Sequence, residues 1–321
     1  MAVLRLAWKS LLNRRFTASI TVFTIALSVA LLLGVERLRE DARDAFANTI
    51  SGTDLVVGAR SGPTQLLLYS VFHIGNATNN ISWKSYQELR AHRSIAWTVP
   101  ISLGDSHAGY RVVGTTPDFY RHYRYAKAQP LRFRQGRPFE DVFDVVLGSQ
   151  VAQTLGYQLG DRIVLAHGGG KISLVRHEDK PFRVVGILAP SGTPVDRSLQ
   201  VDLRGIEAIH KDWFSGSPIP GVSFDAQRVR GMDLTPRTIT AFLVGLKSRI
   251  ATFRVQREIN EYPAEPLLAV LPGAALAELW ELMGVAENAL LVISGMVVLV
   301  GLAGMLTVLL TSLNERRREL A

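Results

Sequence analysis

Two long stretches without a charged side chain constrain this sequence more than any other feature. Between Arg15 and Glu36 lie 20 uncharged residues, Phe16–Val35, and between Glu287 and Glu315 lie 27, Asn288–Asn314. As helices rising roughly 1.5 Å per residue they reach about 30 and 40 Å, enough for a hydrocarbon core of about 30 Å. Both are read as transmembrane helices. A cleavable signal peptide is the alternative for the first, but its apolar region is usually only about 7–15 residues and ends in a small-x-small cleavage site. Here Val35 runs directly into Glu36-Arg37-Leu38-Arg39-Glu40-Asp41, as a helix does on emerging into water.

Basic residues close to a span are retained on the cytoplasmic side. Arg5, Lys9, Arg14 and Arg15 precede the first run, and Arg316, Arg317 and Arg318 follow the second. Both ends are therefore expected in the cytoplasm, with segment 36–287 exported. That segment holds 29 basic and 26 acidic side chains, so the formal net charge of +8 reflects topology and implies no nucleic-acid partner. Cysteine is absent, which excludes disulfides, thiol chemistry and thiolate metal sites.

Residues 1–15 are read as a cytoplasmic amphipathic elbow helix, with Leu4, Ala7, Trp8, Leu11 and Leu12 at three- and four-residue spacing; the alternative is that they simply begin the spanning helix. The remaining boundaries are a first span at 16–35, an exported domain at 36–287, a second span at 288–314 and the start of a cytoplasmic loop at 315–321. Ala26, Ala30 and Gly34 make a small-residue stripe in the first span, and Gly295, Gly301 and Gly304 a glycine-rich face in the second, both suited to close helix packing. In the exported segment, strands are expected at Asp54–Gly58, Ala96–Leu103, Tyr110–Val113, Asp144–Leu147, Arg162–Ala166, Phe182–Leu188 and Thr238–Leu246. Helices are expected over Glu36–Ile50, from Ser82, over Ser149–Leu155 and Ser248–Glu261, and from Ala274 unbroken into the second span. Gly168-Gly169-Gly170-Lys171 punctuates like a turn. The class is α+β, with two transmembrane helices flanking a large exported domain of two subdomains.

Motifs for chemistry are missing. Gly170-Lys171 is followed by Ile172, so there is no phosphate-binding loop, and His177-Glu178-Asp179 lacks the second histidine of a zinc protease helix. No Gly-x-Ser-x-Gly elbow is present. His73, His92, His107, His122, His167, His177 and His210 stand at no helical ligand spacing. Scattered surface histidines are the expectation, a zinc site assembled by the fold the alternative, and no catalytic, cofactor or metal residue is assigned. Tyr120, Tyr123 and Tyr125, interleaved with Arg121, His122 and Arg124, are read as packing between subdomains in preference to a ligand surface.

The ending Asn314-Glu315-Arg316-Arg317-Arg318-Glu319-Leu320 resembles the Glu-Arg-Arg-Arg-Glu-Ile/Leu cytoplasmic motif of the MacB/FtsX-type ABC transporter permeases, which include the LolC/LolE lipoprotein-release subunits. Ala7-Trp8-Lys9-Ser10-Leu11-Leu12-Asn13-Arg14-Arg15 is similar to the family's N-terminal elbow. Val112–Tyr120, Val145–Ala152 and Phe182–Leu188 resemble runs of its periplasmic domain. The resemblance spans essentially the whole chain; the family pattern has four spans, so the sequence looks like the N-terminal portion of such a permease. It implies a bacterial inner-membrane subunit that is not itself an enzyme, works as a dimer with a second permease copy, and couples a separate cytoplasmic ATPase to a periplasmic domain. ATP would be bound by that partner, with no cofactor on this chain. The cargo would be lipidic, peptidic or a small molecule. Arg14, Arg15, Glu315, Arg316, Arg317, Arg318 and Glu319 become the candidates for ATPase contact. Regulation of a periplasmic partner, as in the FtsX branch, and a two-span membrane sensor stay open as alternatives.

Overall fold

The computed structural model describes residues 15–168, 177–214, 217–218 and 224–320. Among them the α-helices are α1 (Arg15–Asn48), α2 (Pro63–Ser70), α3 (Trp83–Arg90), α4 (Asp118–His122), α5 (Ser149–Leu155), α6 (Leu203–Ile209), α7 (Ala226–Arg230), α8 (Thr252–Asn260) and α9 (Pro272–Leu320). Eleven strands form the main sheet: β1 (Leu55–Ala59), β2 (Ile95–His107), β3 (Tyr110–Thr115), β4 (Phe133–Gly136), β5 (Asp144–Leu147), β6 (Arg162–Ile163), β7 (Ala166–His167), β8 (Phe182–Leu188), β9 (Ser198–Asp202), β10 (Ala241–Leu246) and β11 (Leu267–Val270). Their order is β11-β1-β10-β2-β3-β9-β5-β8-β4, with β7 added to β2 and β6 to β8. The chain divides into two compact units, one made of the segments up to Asp44 and from Leu279, the other of Ala45–Glu278.

The unit Ala45–Glu278 is mixed helix and sheet. β1 is buried at every position because successive side chains alternate across a sheet covered on both faces. Val56 packs with Leu66 and Tyr69 of α2 on one face. Leu55 and Val57 pack on the other with Tyr86 of α3 and Val255 and Ile259 of α8. Val255 and Ile259 are four residues apart, so one stripe of α8 faces the sheet. Ser82 ends the preceding extended segment and caps α3, its hydroxyl accepting the Ser85 N–H at 3.2 Å. A separate cluster fills the other half, with Val145 and Leu147 of β5, Val151 of α5, Phe182 and Val184 of β8 and Val201 of β9.

The two subdomains expected from the sequence share one sheet through β2. Residues 95–101 of this thirteen-residue strand pair with β10, and 102–107 pair with β3. A register shift lies between Leu103 and Ser106. There the Leu103 N–H donates to the Thr240 hydroxyl at 2.9 Å, while the Thr240 N–H donates to the Ile101 carbonyl at 2.9 Å. Thr240 thus serves the bulge of β2, which is why the strand expected over Thr238–Leu246 is two pieces, Thr238–Ile239 and Ala241–Leu246.

Asp144–Leu147, Ser149–Leu155 and Phe182–Leu188 have the bounds expected. The strand expected at Arg162–Ala166 is split between β6 and β7, and the helix expected over Ser248–Glu261 begins as a 3-10 turn, Arg249–Ala251. Glu36–Asn48 belongs to the same helix as Phe16–Val35, so α1 is 34 residues long, and α9 is 49. The compact unit begins at Ala45 and ends at Glu278, inside the expected 36–287. Taken over the described residues alone, no helix is long and apolar enough to cross a membrane. Side chains at 17, 18, 21, 305, 308, 309 and 311–320 lie outside that set, as does the elbow at 1–14.

Thr240→Val keeps the side-chain shape and leaves the Leu103 N–H without its acceptor. It should lower the stability of the purified chain by about 1–2 kcal/mol, read as a lower denaturation midpoint.

Candidate functional site

Arg15 opens α1 with an exposed side chain, while Arg14 lies outside the described residues. Glu315 to Glu319 continue the backbone of α9, and their side chains are outside the description. Ala26, Ala30 and Gly34 are exposed in the isolated chain, as are Gly295 and Gly304. Gly301 alone of the stripe glycines is approached: a Cβ there would lie 3.8 Å from Cγ2 of Thr24 on α1.

The tyrosine run is core. Tyr120 packs on Phe119, Phe133 and Phe139, and the Tyr123 hydroxyl donates to the Thr49 carbonyl at 2.5 Å. Elsewhere Glu88, His92, Glu258 and Tyr262 rim a cleft of about 280 Å³ floored by Leu89, Val255 and Ile259. His92 Nε2 lies 3.0 Å from Glu258 and the Tyr262 hydroxyl donates to Glu88, so its polar groups are matched to one another.

The constellation that spacing concealed is made of Asp105, His167 and His210. Asp105 lies on β2 and His167 on β7, and the antiparallel register sets the two directly opposite. Gly168, next in the chain, has φ +97°, the left-handed conformation expected where the chain turns. His210 follows α6, which is started by Asp202 accepting the Arg204 N–H at 2.8 Å. At the other end of that helix the His210 Nδ1–H donates to the Ile206 carbonyl at 2.9 Å. This satisfies a terminal carbonyl and leaves Nε2 free to face the other two groups. His167 Nδ1 lies 3.3 Å from Asp105 Oδ1 and 3.2 Å from His210 Nε2, and His210 Nε2 lies 3.5 Å from the same Oδ1. The expectation of scattered surface histidines therefore fails for these residues: chain separation of 43 to 105 residues vanished on folding, and no local spacing could reveal it.

Further groups enclose this triad. Trp213 packs against His167, His177 and His210 with ring centroids 4.8–5.1 Å apart. His177 is buried beside His210, and its Nε2 has no hydrogen-bond partner among the described residues. The wholly buried Lys180 donates to Asp179 at 2.6 Å and to Asp212 at 2.8 Å, tying the turn that carries His177 to the segment that carries Trp213. Burial opposes ionisation of Asp105, but its hydrogen bonds with His167 and His210 prevail and hold the carboxyl at about 2. Burial likewise works against protonating His210, yet the Asp105 carboxylate beside it raises its pKa overall. His177 is pushed down to about 4, by burial first and by the charge of His210 next.

The sequence profile of the MacB-like periplasmic core domain matches residues 18–262. The chain belongs to this family. The match to the MacB-like domain takes in Asp105, His167 and His210 together with β1–β10. Comparison with solved structures finds the periplasmic region of MacB from Actinobacillus actinomycetemcomitans, at 12% identity and a TM-score of 0.43, covering 72% of this chain and 94% of that one. It also finds the extracellular domain of the noncanonic ABC-type transporter YknZ from Gram-positive bacteria, at 12% identity and a TM-score of 0.38, covering 68% and 99%. Comparison with curated proteins finds no match.

Away from the triad, His73 sits in a left-handed backbone conformation, φ 58°, with Nδ1 buried and unpartnered among the described residues. Burial, helped by the nearby Arg111 charge, lowers its pKa from 6.5 to about 4. Between those values the unfolded chain binds a proton that the folded chain refuses, so stability is lost as pH falls from 6.5 towards 4. The loss from this group is on the order of 3 kcal/mol. His73→Asn keeps a residue that tolerates the backbone angle and removes the titration. Melting temperature measured against pH should fall less steeply over this window in the variant.

Proposed function

We propose that this chain is the permease subunit of an ABC transporter of the bacterial inner membrane, whose periplasmic domain is moved by a separate cytoplasmic ATPase. The observation that carries the reading is the MacB-like family match over 18–262, in a chain whose compact domain leads at both ends into a long helix. In this reading α1 crosses the membrane over 16–35 and α9 over 288–314, with both ends cytoplasmic. Supporting it, 20 of the 24 exposed large apolar side chains among the described residues fall on these two helices. Water would penalise such a surface and hydrocarbon would not.

Neither run holds an ionisable residue, which argues against an ion or proton route and for helices that transmit movement. The elbow with Arg14 and Arg15, and Glu315, Arg316, Arg317, Arg318 and Glu319, would meet the ATPase, which binds the ATP. The exposed small residues Ala26, Ala30, Gly34, Gly295 and Gly304 suit close approach by a second copy, while Gly301 packs within the chain. The cargo class is lipidic, peptidic or small-molecule.

Two measurements test this. Since the native chain has no cysteine, single substitutions report topology directly. Lys127→Cys in intact spheroplasts should react with a membrane-impermeant maleimide, whereas Arg15→Cys and Glu319→Cys should react only after lysis; labelling of all three alike in intact cells would sink the two-span reading. Purification from native membranes should also recover an ATP-binding subunit, and replacing Arg316, Arg317 and Arg318 by alanine should cut that recovery about tenfold. Undiminished recovery would remove these arginines from the interface.

A further inference from the structure

We propose that Asp105, His167 and His210 bind a divalent transition-metal ion, of which zinc fits the donor set best, and that the ion clips α6 to the strand pair β2–β7. The distances among Asp105 Oδ1, His167 Nδ1 and His210 Nε2 are 3.2, 3.3 and 3.5 Å, a nearly equilateral triangle. Nitrogen and oxygen ligands of tetrahedral zinc stand about 2.0–2.2 Å from the ion, which places any two of them roughly 3.3–3.5 Å apart. An ion just off the plane of this triangle therefore reaches all three atoms with the side chains where they already are.

The donor chemistry selects among cations. Two imidazoles and one carboxylate suit zinc, cobalt, nickel and copper, whereas calcium seeks 6–8 oxygens and magnesium an octahedron of oxygens and water. The support around the ligands is equally in place. The His210 Nδ1–H bond to the Ile206 carbonyl fixes that ring's tautomer and aims Nε2 at the triangle, as the outer partners of metal-bound histidines do. Asp105 and His167 are registered by backbone pairing, and Asp105 is buried. His177 is an independent sign: a buried imidazole whose Nε2 lacks a partner among the described residues, its centroid 5.1 Å from that of His210. A side-chain rotation would bring it towards the fourth position of the ion.

The test uses the whole chain, tag-free, in detergent and stripped with a chelator. Titration calorimetry with zinc chloride should show one ion per chain at micromolar affinity or tighter. Zinc should raise the melting temperature by about 5 °C, and magnesium or calcium at the same concentration should not. Cobalt should give the intense visible absorption of a tetrahedral site and quench the fluorescence of Trp213, whose ring packs against both ligand imidazoles. His167→Gln, at a half-exposed position that tolerates change, and His210→Gln should each weaken zinc binding at least tenfold, while His92→Gln, distant in chain and paired with Glu258, should not. Asp105→Asn is the third variant, read only if its metal-free melt matches the wild type. Absence of saturable zinc binding, or wild-type zinc affinity in both His167→Gln and His210→Gln, would overturn the proposal, as would an equal stabilisation by magnesium.

Discussion

The pairing of strand Ile95–His107 on two different partners is the constraint on which the rest of the Ala45–Glu278 unit rests. Its first half completes the sheet containing Leu55–Ala59 and Ala241–Leu246, and its second half begins the one that runs to Phe182–Leu188. Pro100 sits within it, where an interior strand would lose a ladder hydrogen bond. It is tolerated because, at that register, β10 is the neighbour on one side and β3 begins to pair only at Ser102. The Thr115 hydroxyl bonds the Pro100 carbonyl at 2.7 Å and helps close the gap. A strand that changes partners half-way makes the two halves one sheet, and one hydrophobic cluster runs across both, with Val56 and Leu66 from one half and Val146 and Leu188 from the other.

The histidine triad is a consequence of that same strand. Once the chain bulges between Leu103 and Ser106, Asp105 is turned towards β7, where the register delivers His167. α6, seated by its Asp202 cap, brings His210 from the other side. The buried carboxylate would be costly alone, and two imidazoles beside it make it stable as an anion. Lys180, neutralised by Asp179 and Asp212, adds a second rigid link a few residues away. This corner of the unit therefore gathers Asp105, His177, Lys180 and Asp212, all buried, within a short stretch of the fold.

The two long helices present the opposite chemistry. Over their charge-free runs, 16–35 and 288–314, the exposed side chains described are mostly apolar, with Ser28 and Ser294 the buried polar side chains on these helices among the described residues. Ser28 returns its hydroxyl to the Thr24 carbonyl at 2.9 Å, so it makes no demand for water. Helices of this kind satisfy their backbone hydrogen bonds internally.

Much of this was legible in the amino-acid sequence, because the informative signals were local. The charge-free runs, the order of strands and helices, the Ser82 cap and the bounds of Asp144–Leu147, Ser149–Leu155 and Phe182–Leu188 follow from period, composition and turn chemistry within about ten residues. Ser198–Asp202 was not legible: its Ser, Gln and Asp read as loop, and they are buried only because strands on both sides supply partners. Pro63–Ser70 escaped notice although a proline at its first turn was an available sign. Nor could any spacing rule join Asp105, His167 and His210, since their meeting depends on register across the sheet and on the docking of one helix. The sequence by itself determined the class, the flanking helices and the family resemblance, because those depend on neighbours in the chain. Tertiary structure alone decided the sharing of one strand by both halves and the assembly of the triad, because these depend on neighbours in space.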